Sequence, residues 1–416
     1  MNQYMYNNPF VECTARDMSY GEVLKYWCSP FVYYKLEENL LLNSLTPIFI
    51  QGARGSGKTM ILKYLCYFCQ KELAQNTMEK SVLQHFQETG SIGFYFRYKD
   101  DFGKFFKALT CSPEIKEDLF LHYYELYITR EILYVLDDIQ KNYPFDEMIS
   151  HNLRVKVSEL LCASVSEFQI IIEELNTKIS SIDNWVKQCR YISKSEELLR
   201  ELITCDNLVR KICEAIRTTV PEFKNIKFMI IIDEYENVSD YQRLINTLFK
   251  QVDSSESITY RIGMRPGGMY TYKTNVGGEF LQFNRDYIQI DLKFPEINSY
   301  KKFIREVANR RLESIEAFRD KQFIDIEEIL GKRENPEEEA LKVVKSQPEK
   351  HFNILKNKFK LDEEFDNAKE ALKHPENPLI EMLNIIWVLR GVTLEETSIT
   401  MKSRTTRSTG GLILAL

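Results

Sequence analysis

The chain has no apolar stretch approaching the length of a membrane-spanning helix, and Met1-Asn2-Gln3-Tyr4 does not begin a signal peptide. Neither a bilayer nor export is indicated, and a cytoplasmic setting is expected. Basic residues are not in excess either. The 55 lysines and arginines are outnumbered by 61 aspartates and glutamates, giving a net charge of −6. That balance argues against a surface that coats nucleic acid generally, and leaves room only for a local basic patch. The five histidines are too dispersed to build a metal site. Nine cysteines make no zinc pattern, because Cys66 and Cys69 have no second pair at zinc spacing. Those two sit amid Leu65, Tyr67 and Phe68, where core packing accounts for them. An odd number of thiols in a long chain suggests that they are reduced. No internal repeat is visible. What remains is a globular composition, 44% hydrophobic and 28% charged over 416 residues, enough for a sizeable core and two or three domains.

Within that ordinary background one segment stands out. Gly52-Ala53-Arg54-Gly55-Ser56-Gly57-Lys58-Thr59 fits the phosphate-loop pattern G-x-x-x-x-G-K-[ST] without a mismatch. The run Thr46–Gln51 before it reads as a buried strand, and Met60–Leu65 after it as the first turns of a helix. Strand, glycine loop and helix is the context in which the motif binds a nucleoside triphosphate. The glycines let backbone N–H groups turn toward the phosphates, and the helix N-terminus adds partial positive charge. Gly52 through Met60 are therefore the expected nucleotide-binding residues. Lys58 is placed for the β- and γ-phosphates, and the Thr59 hydroxyl for Mg²⁺.

A phosphate loop needs a partner carboxylate. Lys227-Phe228-Met229-Ile230-Ile231-Ile232-Asp233-Glu234 is an unbroken apolar run, rich in β-branched residues, that ends in two acids. Such a run suits a central parallel strand buried on both faces. At its end Asp233 is expected to complete the Mg²⁺ shell and Glu234 to polarise the attacking water, since NTP hydrolysis is mostly positioning and electrostatics. Glu236, two residues on, reads as a solvated loop acid.

Five strands can be placed: Pro47–Gln51, Ile92–Tyr98, Lys227–Ile232, Ser257–Met264 and Tyr287–Leu292. Between the second and third lies a long stretch with helical patterning over Glu117–Asp138, Val157–Ile179 and Ser195–Arg217. It is too long for a simple crossover, so a mainly helical insertion is expected, projecting from the sheet. Glu173-Glu174 and Glu196-Glu197 read as its solvated faces.

The order of these features resembles AAA+ ATPases, in the group similar to origin-recognition and replication-initiator ATPases. The phosphate loop lies on the first strand, the acid pair on the third, and a polar residue follows the fourth. Ile290-Asp291-Leu292-Lys293-Phe294-Pro295-Glu296, then a helix Tyr300–Leu312 carrying Arg310-Arg311, is similar to the start of the lid in those proteins. Phe10–Tyr20, and the stretch on to Tyr34, resembles the leader of bacterial members, many of which are associated with defence against phage. The resemblance covers about residues 8–312. It implies an α/β core with a parallel sheet in the order 5-1-4-3-2. It also implies ATP and Mg²⁺ as ligands, hydrolysis coupled to a conformational or assembly switch, a homo-oligomer and a partner effector protein. Binding to nucleic acid is the output expected if the initiator likeness dominates. A nucleotide-bound scaffold with slow hydrolysis and a DNA-loading ATPase are the alternatives. In these terms residues 1–98 hold the leader and the first part of the core, 99–222 the insertion, 223–296 the second part, and 297–416 a helical lid and C-terminal region.

Two arginines complete the expected site. Arg265 closes the fourth strand at the sensor position, where it could bond the γ-phosphate or pair with an acid. Arg285 precedes the fifth strand, where AAA+ proteins place a finger that reaches a neighbouring subunit, and pairing with Asp286 on the surface fits equally well. Both are expected near the carboxyl edge of the sheet, at least one of them facing the γ-phosphate across a subunit boundary. Beyond residue 330 the likeness fades. Lys332–Glu339 is a charged connector, Leu379–Leu389 a short apolar helix, and Met401–Gly411 a basic polar tail. No second sensor arginine and no winged-helix recognition helix can be read there.

Overall fold

The computed structural model describes residues 14–77, 81–98, 111–188, 207–251, 258–313, 325–330, 350–359, 361–373 and 378–395, with residues 10, 102, 106, 109, 315 and 397. Two compact units divide at Ile324/Asp325.

The first unit is built on five strands: β1 Ile48–Gln51, β2 Ser91–Arg97, β3 Lys227–Asp233, β4 Ile258–Met264 and β5 Ile288–Asp291. All neighbouring pairs are parallel, in the order β2-β3-β4-β1-β5, which read from the β5 edge is 5-1-4-3-2. β3 and β4 are buried along almost their whole length, as the β-branched run of β3 requires of a central strand covered on both faces. Every strand therefore ends at one edge, and that edge carries the residues of interest.

A leader of three short helices, α1 Tyr20–Lys25, α2 Phe31–Tyr34 and α3 Glu38–Asn43, precedes β1. Ser19 and Glu22 close a capping box at the start of α1. Two buried cations hold the leader in place. Lys63 donates to the carbonyls of Arg16 and Met18. Arg261, in the middle of β4 and fully buried, donates to the carbonyls of Leu41, Ser44 and Tyr260. A buried guanidinium is costly unless its donors are met, and here backbone oxygens meet them.

After the phosphate loop come α4 Lys58–Tyr64, α5 Tyr67–Thr77 and α6 Val82–Thr89. The stretch between β2 and β3 contains α7 Pro113–Asn142, α8 Glu147–Leu161, α9 Phe168–Gln188 and α10 Leu208–Thr219. Two expectations change here. The patterning over Val157–Ile179 belongs to two helices, because Cys162 takes a left-handed conformation (φ 48°) that caps α8, and the chain turns before Phe168. Apolar periodicity continued across the turn and hid it. The insertion also does not project as a separate lobe. α7 lies against β2, with Tyr124 6.4 Å from Phe96 and 6.2 Å from Tyr98 between ring centres, and one continuous core joins its helices to the sheet. An aromatic face on β2 has to be covered, and α7 covers it. Of Ser195–Arg217, residues 195–206 and with them Glu196-Glu197 lie outside the described residues.

α11 Gln242–Lys250 and α12 Ile297–Leu312 complete this unit. In the second unit, α13 Ile326–Leu330, α14 Asp362–Leu372 and α15 Pro378–Leu389 are described, with Phe352, Leu355, Leu372, Ile385 and Val388 as a small core. The Lys332–Glu339 connector and the basic tail lie outside the described residues. No helix among the described residues is long and apolar enough to cross a membrane.

Candidate functional site

The phosphate loop turns where β1 ends, and Gly52 N–H donates to the Met264 carbonyl of β4 at 3.2 Å. Gly55 and Gly57 have φ of 82° and 88°, the left-handed region that glycine enters at no steric cost. A Cβ added to Gly52 would stand 2.3 Å from Ser56 Oγ, so the close turn also needs glycine there. Lys58 Nζ folds back over the loop and donates to the carbonyls of Gly52 (2.6 Å) and Ala53 (3.0 Å). Burial pulls the Lys58 pKa down, and the acids Asp233 and Glu236 oppose that. Arg54 is exposed at the tip of the loop, and Met60 is half-buried on α4.

Thr59 and Asp233 lie 174 residues apart in sequence, and the Thr59 hydroxyl donates to Asp233 Oδ2 at 2.8 Å. Asp233 is buried; Tyr95 O–H also donates to Oδ2 at 3.0 Å, and the Glu234 N–H to Oδ1 at 2.9 Å. Burial raises the Asp233 pKa while these donors pull it back. Glu234 takes a left-handed backbone (φ 59°, ψ 44°), uncommon for a non-glycine residue, which turns its side chain out of the strand line. Its Oε2 accepts from Arg97 Nη2 at 2.7 Å. Tyr95 and Arg97 alternate on β2, whose register sets Arg97 beside Asp233.

Glu236 departs from expectation. It is buried, and its Oε1 pairs with Arg265 Nε at 2.9 Å while Oε2 accepts the Arg265 N–H at 3.3 Å. Burial raises its pKa. The short turn after Glu234 bends the chain back under the end of β4, where a solvated acid had been expected. Arg265 itself remains largely exposed at the carboxyl edge.

Arg285 is not at that edge. It precedes β5, and in a sheet whose strands are all parallel a residue ahead of a strand lies at the amino edge, opposite the phosphate loop. It is exposed, 3.6 Å from Asp286 Oδ1, and donates to Gln282 Oε1 at 3.2 Å. The chain leaves the carboxyl end of β4 at Met264 and has crossed to the opposite edge by the time it reaches Arg285 and enters β5.

The leader supplies residues that the motifs do not mark. Tyr34 O–H donates to the Ser56 carbonyl at 2.9 Å, and its ring lies 4.5 Å from Phe294, ahead of α12. Tyr33 O–H donates to Glu306 of α12 at 2.6 Å. Arg310 pairs with Glu313, and Arg311 lies over the Tyr26 ring. α12 is thereby held to the leader from the residue ahead of it to its last turn, and Tyr34 joins the leader to the loop.

The residues present fit a nucleotide with Mg²⁺. Ser56 Oγ is buried in the loop without a hydrogen-bond partner, and open space surrounds the positions of Gly55 and Gly57. Thr59 and Asp233 offer a hydroxyl and a carboxylate oxygen side by side, the hard donors that Mg²⁺ takes. Among the described residues no group of three or more His, Cys, Asp or Glu could hold a metal ion by itself. Two protein oxygens are what a site completed by phosphate oxygens and water requires. Tyr95, Arg97 and Tyr34 were missed from the sequence. Only the polar positions alternating along β2 hinted at the first two, and nothing hinted at the third.

A family model described as ORC-CDC6-like matches residues 8–404 of the chain. Nothing matches among curated proteins or among solved structures.

Proposed function

The chain belongs to the ORC-CDC6-like family, and from that premise we propose that it is an AAA+ ATPase that binds ATP with Mg²⁺ at the phosphate loop and hydrolyses it to drive a conformational or assembly switch. The contact that carries this reading is the 2.8 Å hydrogen bond from Thr59 to Asp233, which joins the two halves of a nucleotide-metal site across 174 residues of chain. Backbone N–H groups around Gly55 and Gly57 bind the phosphates, and Lys58 exchanges its carbonyl partners for phosphate oxygens. Thr59 and Asp233 would hold Mg²⁺, which would supply charge neutralisation to the phosphates. Glu234 orients the attacking water and accepts its proton.

One observation favours a second reading, a nucleotide-bound scaffold with slow turnover. Glu234 is occupied by Arg97, and a carboxylate held by a guanidinium is less free to turn to water. Assembly is part of the proposal, with Arg285 reaching the nucleotide of a neighbouring copy from the amino edge.

The test is ATP binding and ATP hydrolysis measured on the full chain and on Glu234→Gln. Binding should be unchanged and hydrolysis should fall about a hundredfold, in the range a general base contributes. Full turnover by Glu234→Gln would show that another residue orients the water. Hydrolysis by neither protein, with binding intact, selects the scaffold.

A further inference from the structure

Beside the edge strand β2 lies a cavity of about 360 Å³ that the nucleotide site does not use. That is the size range of small-molecule pockets, and room for roughly ten waters at about 30 Å³ each. Its walls are rich in rings, among them Phe96, Phe102 and Tyr127. An aromatic lining favours a flat apolar body over a cluster of water.

The charges around the cavity decide what such a body carries. Three cations line it, Arg97, Arg130 and Lys187, against two acids, Glu131 and Asp183. Both acids are engaged: Asp183 accepts from Tyr123 O–H at 2.6 Å and Glu131 from Arg130 at 3.0 Å. The cations keep spare donors. Arg97 Nε is buried with no hydrogen-bond partner, and Lys187 has no ion-pair partner among the described residues. A buried unpartnered donor is costly, and an anion relieves it.

Two wall residues also reach the catalytic acids. Tyr95 donates to Asp233 and Arg97 to Glu234. We propose that this cavity binds a small aromatic anion, its ring against the aromatic walls and its acidic group on Arg97, and that occupancy draws Arg97 from Glu234 and so raises hydrolysis. The coupling rests on the reading of Glu234 as the residue that orients water; the binding site does not. An anion on Arg97 competes with the Glu234 carboxylate for the same guanidinium, and Glu234 then turns to solvent water at the γ-phosphate.

The experiment is a fluorescence titration of the native full chain with 1-anilinonaphthalene-8-sulfonate, an aromatic anion, with ATP hydrolysis followed in parallel. Saturable binding of one probe per chain is expected. Lys187→Glu, an exposed substitution, should weaken it by about tenfold, and Arg97→Ala by about as much. Lys58→Ala, which removes nucleotide binding, should leave it unchanged. Absence of saturable binding, or binding that ATP displaces and Lys187→Glu does not affect, overturns the site. At probe saturation hydrolysis should rise several-fold in the unsubstituted protein and not in Arg97→Ala. One-to-one binding with an unchanged rate overturns the coupling and leaves the site standing. One-to-one binding in a chain that hydrolyses nothing under any condition overturns the ATPase reading instead.

Discussion

Asp233 and Glu234 are neighbours in sequence and belong to opposite flanks of the same edge. Asp233 turns to the phosphate-loop flank, where it is buried and met by Thr59. Glu234 turns to the β2 flank, where a left-handed backbone delivers it to Arg97. The first flank is built from a contiguous motif and one partner, and in the proposed function its contacts are the ones that would serve nucleotide and metal binding. The second is built from residues that no motif marks, beside a ring-lined cavity, and its contacts restrain the group that would work on water. The proposed function thus divides binding and control between the two sides of one strand end. Tyr95 touches both, lining the cavity while donating to Asp233.

The largest effect expected on the phosphate-loop flank is from Lys58→Ala. It removes the cation that folds back over the loop, and nucleotide binding should fall below detection in equilibrium titration. Retained binding with a normal affinity would mean that the backbone nest alone suffices. Next comes assembly. Mixing Lys58→Ala subunits with Arg285→Ala subunits should restore hydrolysis that neither shows alone, because each lacks a different half of a composite site. No recovery, with a monomer of unchanged size in saturating ATP and Mg²⁺, would confine the mechanism to one chain. A smaller effect is expected where the flanks meet. Tyr95→Phe removes one donor from a buried carboxylate, and the Mg²⁺ concentration needed for half-maximal hydrolysis should rise about tenfold, the scale of one hydrogen bond to a charged group. An unchanged requirement would make Tyr95 a part of the cavity wall alone. The smallest belongs to the β2 flank. Arg97→Ala frees Glu234, and basal hydrolysis should rise several-fold under single-turnover conditions. A fall would show that Arg97 orients Glu234 for water, which would reverse the restraint described above.

Much of the fold was legible in the sequence because its strands are short and strongly marked. β3 is seven residues of near-continuous apolar chain, and β1 is fixed by the loop that follows it. Local signals mislead where something distant overrules them. Cys162 ends a helix through a left-handed turn while the apolar spacing runs on. Glu236 looks like any loop acid until the chain bends beneath Arg265. Arg285 and Arg265 are similar in the linear chain, and the parallel direction of β5 puts them at opposite edges. Arg261 sits in a strand whose burial pattern gives no warning of a guanidinium, and only the carbonyls of the leader explain it.

The sequence by itself determined the phosphate loop, the acid pair and the strand that carries it. In those the chemistry lies in residues that are contiguous, so backbone geometry a few residues long suffices to build it. Tertiary structure alone decided which side chains surround the acids. Tyr95 and Arg97 reach Asp233 and Glu234 only because β2 lies beside β3 in one register, with 129 residues (98–226) between the end of the one and the start of the other. Tyr34 reaches the loop because the leader is fastened to α4 and the sheet by buried cations and a shared apolar core. Hydrogen bonds of this kind depend on distances of a few tenths of an ångström between segments remote in the chain, and no pattern along one dimension encodes them.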